Sequence, residues 1–135
     1  KRSQAKRVVS ESDMAVSANT VPVPFAEKQT VDTAASATVQ YAHSGAAKLS
    51  GWFVDNTANG AKSYIKFYDA TGSVTVGTTA PVALFMIPAS TSRMFSMPGG
   101  ISFSTGIAYA VTTAGGTAGN TGPGTALTVR LLISL

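Results

Sequence analysis

The sequence predicts an all-β domain: an antiparallel β-sandwich of jelly-roll-like form, about seven or eight short strands, preceded by an extended N-terminal arm. Three observations predict it. Apolar residues recur at every second position in several short segments, which is the period of a half-buried strand. Turn residues interrupt these segments at short intervals, as in sandwiches and barrels. No 3.6-residue apolar period survives for about ten residues, so a helix would have no apolar stripe to bury. A chain of 135 residues holds one such domain.

Residues 1–33 have no sustained period and read as the arm. Lys1, Arg2, Lys6 and Arg7 place four positive charges in the first seven residues, while the six bases from residue 8 onward balance six acids. The net charge of +4 therefore equals that of the arm's first seven residues. The neutral remainder lacks the basic face of a nucleic-acid-binding domain, which leaves only the arm for such contacts. Pro22 and Pro24, in the segment Val21-Pro22-Val23-Pro24-Phe25, hold the backbone extended and let it lie along another surface. The four basic residues and Val21, Pro22, Val23, Pro24 and Phe25 are thus the predicted partner-binding residues. Core-forming strands are expected to begin after residue 34, so that removal of residues 1–30 leaves the sandwich folded.

The sandwich is predicted over residues 34–135. Thr38–Ala42 is a weak strand and Lys48–Val54 a stronger one, ending in the turn-rich Asp55-Asn-Thr-Ala-Asn-Gly60. Asn59 and Gly60 both tolerate φ > 0 and suit a reversal. Ser63–Tyr68 alternates, with Ile65 and Phe67 on a core face and Tyr64, Lys66 and Tyr68 nearer water. Asp69–Gly72 is a turn before Val74–Val76. Pro81 and Pro88 bracket Val82–Ile87 and make it a short strand. Arg93–Met97, Ile101–Phe103 and Ile107–Val111 follow. Five glycines in residues 115–124 mark a flexible connector. Leu127, Val129, Leu131, Ile133 and Leu135 then alternate with smaller or polar residues. A strand this apolar belongs inside a sheet, and Leu132 on its other face suggests cover on both sides.

Little in the chain carries chemistry. It has no cysteine and one histidine, so thiolate sites are excluded and His43 has no second histidine for zinc. There is no Gly-x-Ser-x-Gly elbow around a serine nucleophile. Asp55 and Asp69 precede turn residues, where a carboxylate ordinarily bonds its own backbone. The oxygen-rich stretch after Asp55 lacks the spaced acids of a calcium loop. A phosphate loop would need a helix and a lysine after residues 115–124, and a strand follows instead. Trp52, Tyr64, Tyr68 and Tyr109 offer a sugar-stacking platform, though scattered aromatics are more often core. The longest apolar run, Val82–Ile87, has six residues against about 20 for a spanning helix. The basic start is not followed by the apolar stretch of an intact signal peptide, and Lys1 in place of Met leaves both proteolysis and trimming open. No catalytic residue, cofactor or metal ligand is expected, and the protein is not predicted to be an enzyme.

One stretch resembles a known module. Ile65-Lys-Phe-Tyr-Asp-Ala70, Val76-Gly-Thr-Thr-Ala-Pro81, a strand ending at Ile87-Pro88 and Gly99-Gly-Ile-Ser-Phe-Ser-Thr-Gly-Ile-Ala-Tyr-Ala-Val111 are similar to a small β-sandwich module of tailed-bacteriophage virion proteins. That module occurs among head-decoration and tail-associated proteins. The resemblance covers the last two-thirds of the chain and implies a structural protein of the virion. It favours a capsid decoration or cement protein on the head surface, bound to the major capsid protein through sandwich and arm, and homo-oligomeric. A tail or baseplate protein and a carbohydrate- or receptor-binding module are the alternatives.

Overall fold

The computed structural model describes residues 27–135, which form eight strands and no helix. These are β1 (Glu27–Ala35), β2 (Gln40–Ser44), β3 (Ala47–Asp55), β4 (Ser63–Asp69), β5 (Ala83–Ile87), β6 (Ser92–Phe103), β7 (Gly106–Thr112) and β8 (Leu127–Ser134). They make two four-stranded antiparallel sheets, in the orders β1-β8-β3-β6 and β2-β7-β4-β5. The pairs β4–β5, β3–β6, β2–β7 and β1–β8 nest inside one another, as in a long hairpin rolled into a jelly roll. The predicted sandwich is therefore present, and its most apolar strand, β8, lies inside a sheet as expected.

The core follows the two-residue period. Leu49, Trp52 and Val54 from β3, Ile65 and Phe67 from β4, Tyr109 and Val111 from β7, and Leu127, Val129, Leu131 and Ile133 from β8 meet between the sheets. Trp52 packs edge-on to Phe67 and stacks on Phe95, with ring centroids 5.5 and 5.4 Å apart. Phe85 closes the cluster 4.8 Å from Trp52.

The domain starts earlier than the predicted boundary at residue 34. Residues 27–32 pair continuously with β8, from Glu27 opposite Ser134 to Asp32 opposite Val129. Lys28 Nζ donates to the Ala42 carbonyl at 2.7 Å, and Tyr109 Oη donates to Asp32 Oδ2 at 2.8 Å, so β1 is tied to both β2 and β7 of the other sheet. Removing residues 1–30 would strip the first four of the nine residues of this edge strand, contrary to the expectation above. The period hid this strand because its inward residues, Lys28, Thr30 and Asp32, are polar and its outward Val31 is apolar. Elsewhere Val74–Val76 forms no strand, and Arg93–Met97 and Ile101–Phe103 belong to one strand, β6. An irregularity between Ser96 and Ile101 interrupts its pairing with β3, where Gly99 and Gly100 take φ of 82° and 72°.

The turn after β3 also departs from expectation. Asn59 and Gly60 do not adopt positive φ. Asn56 and Asn59 are instead buried. Asn56 Nδ2 donates to the Ala61 and Pro88 carbonyls, and its Oδ1 accepts from Asn59 Nδ2 and Ser63 Oγ. Asn59 also bonds both the amide and the carbonyl of Thr125. This knot joins three loops at one end of the sandwich.

Candidate interaction surface

The two sheets differ on their outer faces. Over β2-β7-β4-β5 the chain lays its own loops. Every residue of β7 is buried, and Tyr68, Ala108 and Ala110 pack under Val39, Ala70, Val74 and Val76. The glycine-rich segment also closes onto this face. Lys66 Nζ donates to the Gly119 carbonyl, and Thr113 N donates to the Thr121 carbonyl. Gly119 lies so close to Ala114 that an added Cβ would stand 2.5 Å from its carbonyl oxygen. Segment 115–124 is thus packed cover, and Lys66 and Tyr68, expected nearer water, are 0% and 1% exposed. Burial lowers the Lys66 pKa and raises that of Tyr68.

Over β1-β8-β3-β6 no described segment lies. Register brings Val31, Arg130, Phe53 and Met94 into one row across all four strands, outward by alternation with the buried Trp52, Val54, Val129 and Leu131. The next row is Gln29, Leu132, Gly51 and Ser96. Gly51 has no side chain to stand between Leu132 and Ser96, and a groove of ≈ 480 Å³ opens there, lined by Leu132, Phe53, Met94 and Val31 among others. Met94 is 75% and Val31 54% exposed. β6 borders the groove and is an edge strand, so one side of its backbone from Ser92 to Ser96 has no partner strand among the described residues. Its methionines Met94 and Met97 are both exposed, as is Met86 on the neighbouring edge strand β5. Methionine is a flexible, polarisable side chain that adapts to varied partners.

The other candidate residues have structural partners. Asp55 Oδ1 accepts from Thr57 N and Oγ1, the expected use in its own turn, and these bonds lower its pKa. Asp69 serves a different turn from the one that follows it. It accepts from the amides of Ser104, Thr105 and Gly106 and from Ser104 Oγ, which hold its pKa down to about 2. Tyr109, bonded to Asp32, has its pKa raised by burial, by that hydrogen bond and by the negative charge beside it. Trp52, Tyr68 and Tyr109 are buried, so they make no sugar-stacking platform. His43 lies on β2. Among the described residues no three of His, Cys, Asp and Glu gather as a metal site would need. The predicted partner-binding residues Lys1, Arg2, Lys6, Arg7, Val21, Pro22, Val23, Pro24 and Phe25 lie outside the described residues.

No protein-family model and no curated protein matches the chain. A solved structure does, one described by the words "Bacillus endospore appendages form a novel family of disulfide-linked pili". Identity is 15% and the TM-score 0.41, with 82% of this chain and 88% of that chain covered. The similarity is to a bacterial spore appendage and not to a phage particle. The expectations of a capsid decoration or cement protein, of a tail or receptor-binding alternative, of a major capsid protein as partner and of a virion location are accordingly withdrawn. Nor do the appendage's disulfides carry over, because these 135 residues include no cysteine.

Proposed function

We propose that this domain is a non-catalytic structural subunit that associates with copies of itself through the bare outer face of β1-β8-β3-β6. The observation that carries this reading is the row Val31–Arg130–Phe53–Met94, apolar but for Arg130, beside the groove at Gly51, on a face that no described segment covers. A contiguous exposed apolar patch on a small domain marks an interaction site more often than a random surface. Charge opposes a copy as the partner only weakly. Residues 27–135 hold six bases and four acids, so two such bodies repel weakly.

Sedimentation of the intact chain across a concentration series tests this reading. Association that Met94→Arg weakens by about tenfold or more supports it, since a charge at the centre of an apolar contact must be desolvated. Gly51→Val is a second, uncharged probe that fills the groove, with its Cβ at 3.4 Å from the Phe95 carbonyl oxygen, an ordinary contact. A chain that stays monomeric at every concentration, or one that both variants leave associating normally, overturns the reading.

A further inference from the structure

We infer that the contact between copies includes the segment Val21–Phe25 of a second copy, added as a fifth strand along the free edge of β6, where it extends this face. The inference rests on the self-association proposed above and specifies its contact.

The first ground is the chemistry of the segment. In an extended strand the N–H groups of alternate residues point to the same side. Pro22 and Pro24 therefore remove donors from one side only, while Val21, Val23 and Phe25 keep all of theirs on the other. Such a strand can pair along one edge and cannot be extended from its second, which is why proline in sheets is confined to edges. The same alternation puts the side chains of Val21, Val23 and Phe25 on a single face. With Val23 set beside Met94, its side chain extends the row Val31–Arg130–Phe53–Met94 by one position, and Val21 and Phe25 extend the flanking rows of Ser92 and Ser96. Added strands of this kind gain affinity from backbone bonds and specificity from alternate side chains.

The second ground is reach, which excludes the segment's own β6. Phe25 is two residues from Glu27 and so lies within about 7 Å of it. β1 and β6 are opposite edges of the sheet, three strand spacings or about 14 Å apart. Register widens the gap further. Glu27 stands opposite Ser134, which stands opposite Lys48 and then Ser102, at the far end of β6 from Ser92. The segment cannot lie along Ser92–Ser96 of its own chain. A neighbouring copy has no such restriction. Because segment and edge are different surfaces, the contact is head-to-tail, and repeated it gives a ring or a filament.

The basic residues are not needed for this contact. Of the four acids in residues 27–135, Asp32, Asp55 and Asp69 are bonded within their own chain, Glu27 lies on β1 at the opposite edge of the sheet, and the row beside β6 carries Arg130 and no acid. Added salt should therefore leave the association nearly unchanged.

The test uses the full chain with Val23→Asp, alone and mixed with Met94→Arg. Val23→Asp leaves residues 27–135 intact, and it should weaken association by about tenfold or more. Deuterium exchange at the amides of Ser92–Ser96 should quicken with it. Mixing the two variants should give one-to-one heterodimers, since one supplies a sound segment and the other a sound edge. If Met94→Arg abolishes association while Val23→Asp leaves it and the Ser92–Ser96 protection unchanged, the segment is not part of the contact, although self-association through the face stands. If the intact chain is monomeric, both readings fall together.

Discussion

The two sheets share a core yet treat their outer faces in opposite ways. One outer face is roofed by the chain's own loops, deeply enough to bury a lysine and a tyrosine. The other leaves a row containing valine, phenylalanine and methionine exposed to solvent or half-exposed. The roof is built of residues able to lie close to the sheet. Gly115 sits against the Tyr64 ring and Gly119 against Ala114, where larger side chains would hold the loop away. The bare face has no comparable loop over it among the described residues. The folded domain therefore satisfies one face internally, while the other gains burial only by meeting something else.

The largest expected contrast comes from removing one aromatic from each face. Tyr68→Ala, beneath the roof, should destabilise by about 3–5 kcal/mol, as buried aromatic truncations do. The hydroxyl of Tyr68 has no hydrogen-bond partner among the described residues, so Tyr68→Phe should stabilise by about 1 kcal/mol through relief of that unmet group. Phe53→Ala, on the bare face, should cost the monomer about 1 kcal/mol and the association far more. Denaturant unfolding at low protein concentration reads the first effect apart from the second. Equal losses in the monomer would mean that the faces are not different.

A smaller contrast lies within one strand. Leu131 is 2% exposed and faces the core, whereas its neighbour Leu132 faces the groove. Leu131→Ala should cost about 2–5 kcal/mol. Leu132→Ala should cost about 1 kcal/mol, and Thr128→Ala, on the same outer face, within about 0.5 kcal/mol. Matching unfolding midpoints for Leu131→Ala and Leu132→Ala would indicate a covered outer face in the isolated subunit.

What the sequence reveals divides along the same line. β8 is legible because five apolar residues alternate within it, and β4 because Ile65 and Phe67 do. β1 is not, since its inward positions hold Lys28, Thr30 and Asp32, whose partners Ala42 and Tyr109 come from distant segments. The roof is illegible for a related reason. Alternation shows that Lys66 and Tyr68 share a face, but whether that face meets water depends on a loop some 50 residues later. The groove depends on register: Val31, Phe53, Met94 and Arg130 become neighbours only when four strands pair. Leu132, apolar on the wrong side of a strand, is the one local sign of it.

The smallest expected effects are in the pH dependence, where stability rises with pH on both sides of neutrality. Asp69 has its pKa lowered from 3.8 to about 2 by the turn amides it accepts from. Its contribution to stability is fully present above 3.8 and is lost as pH falls through 3.8 towards 2, because the unfolded chain takes up the proton first. Asp69→Asn should flatten that acid limb. Lys66 acts on the alkaline side. Burial lowers its pKa from 10.5, so over the interval below 10.5 the unfolded chain holds a proton that the folded chain has released, and stability climbs with pH. The climb ends near pH 10, where unfolded tyrosines ionise before the buried Tyr68 and Tyr109, whose pKa values are raised. Lys66→Met should abolish the alkaline climb while leaving the fall above pH 10. It should also raise stability at neutral pH, since the ammonium's desolvation is removed and only the bond to Gly119 is lost. A thermal-unfolding series from pH 7 to 11 measures all three. An alkaline climb that survives in Lys66→Met would mean that the roof does not keep water from the lysine, and the contrast between the two faces would shrink accordingly.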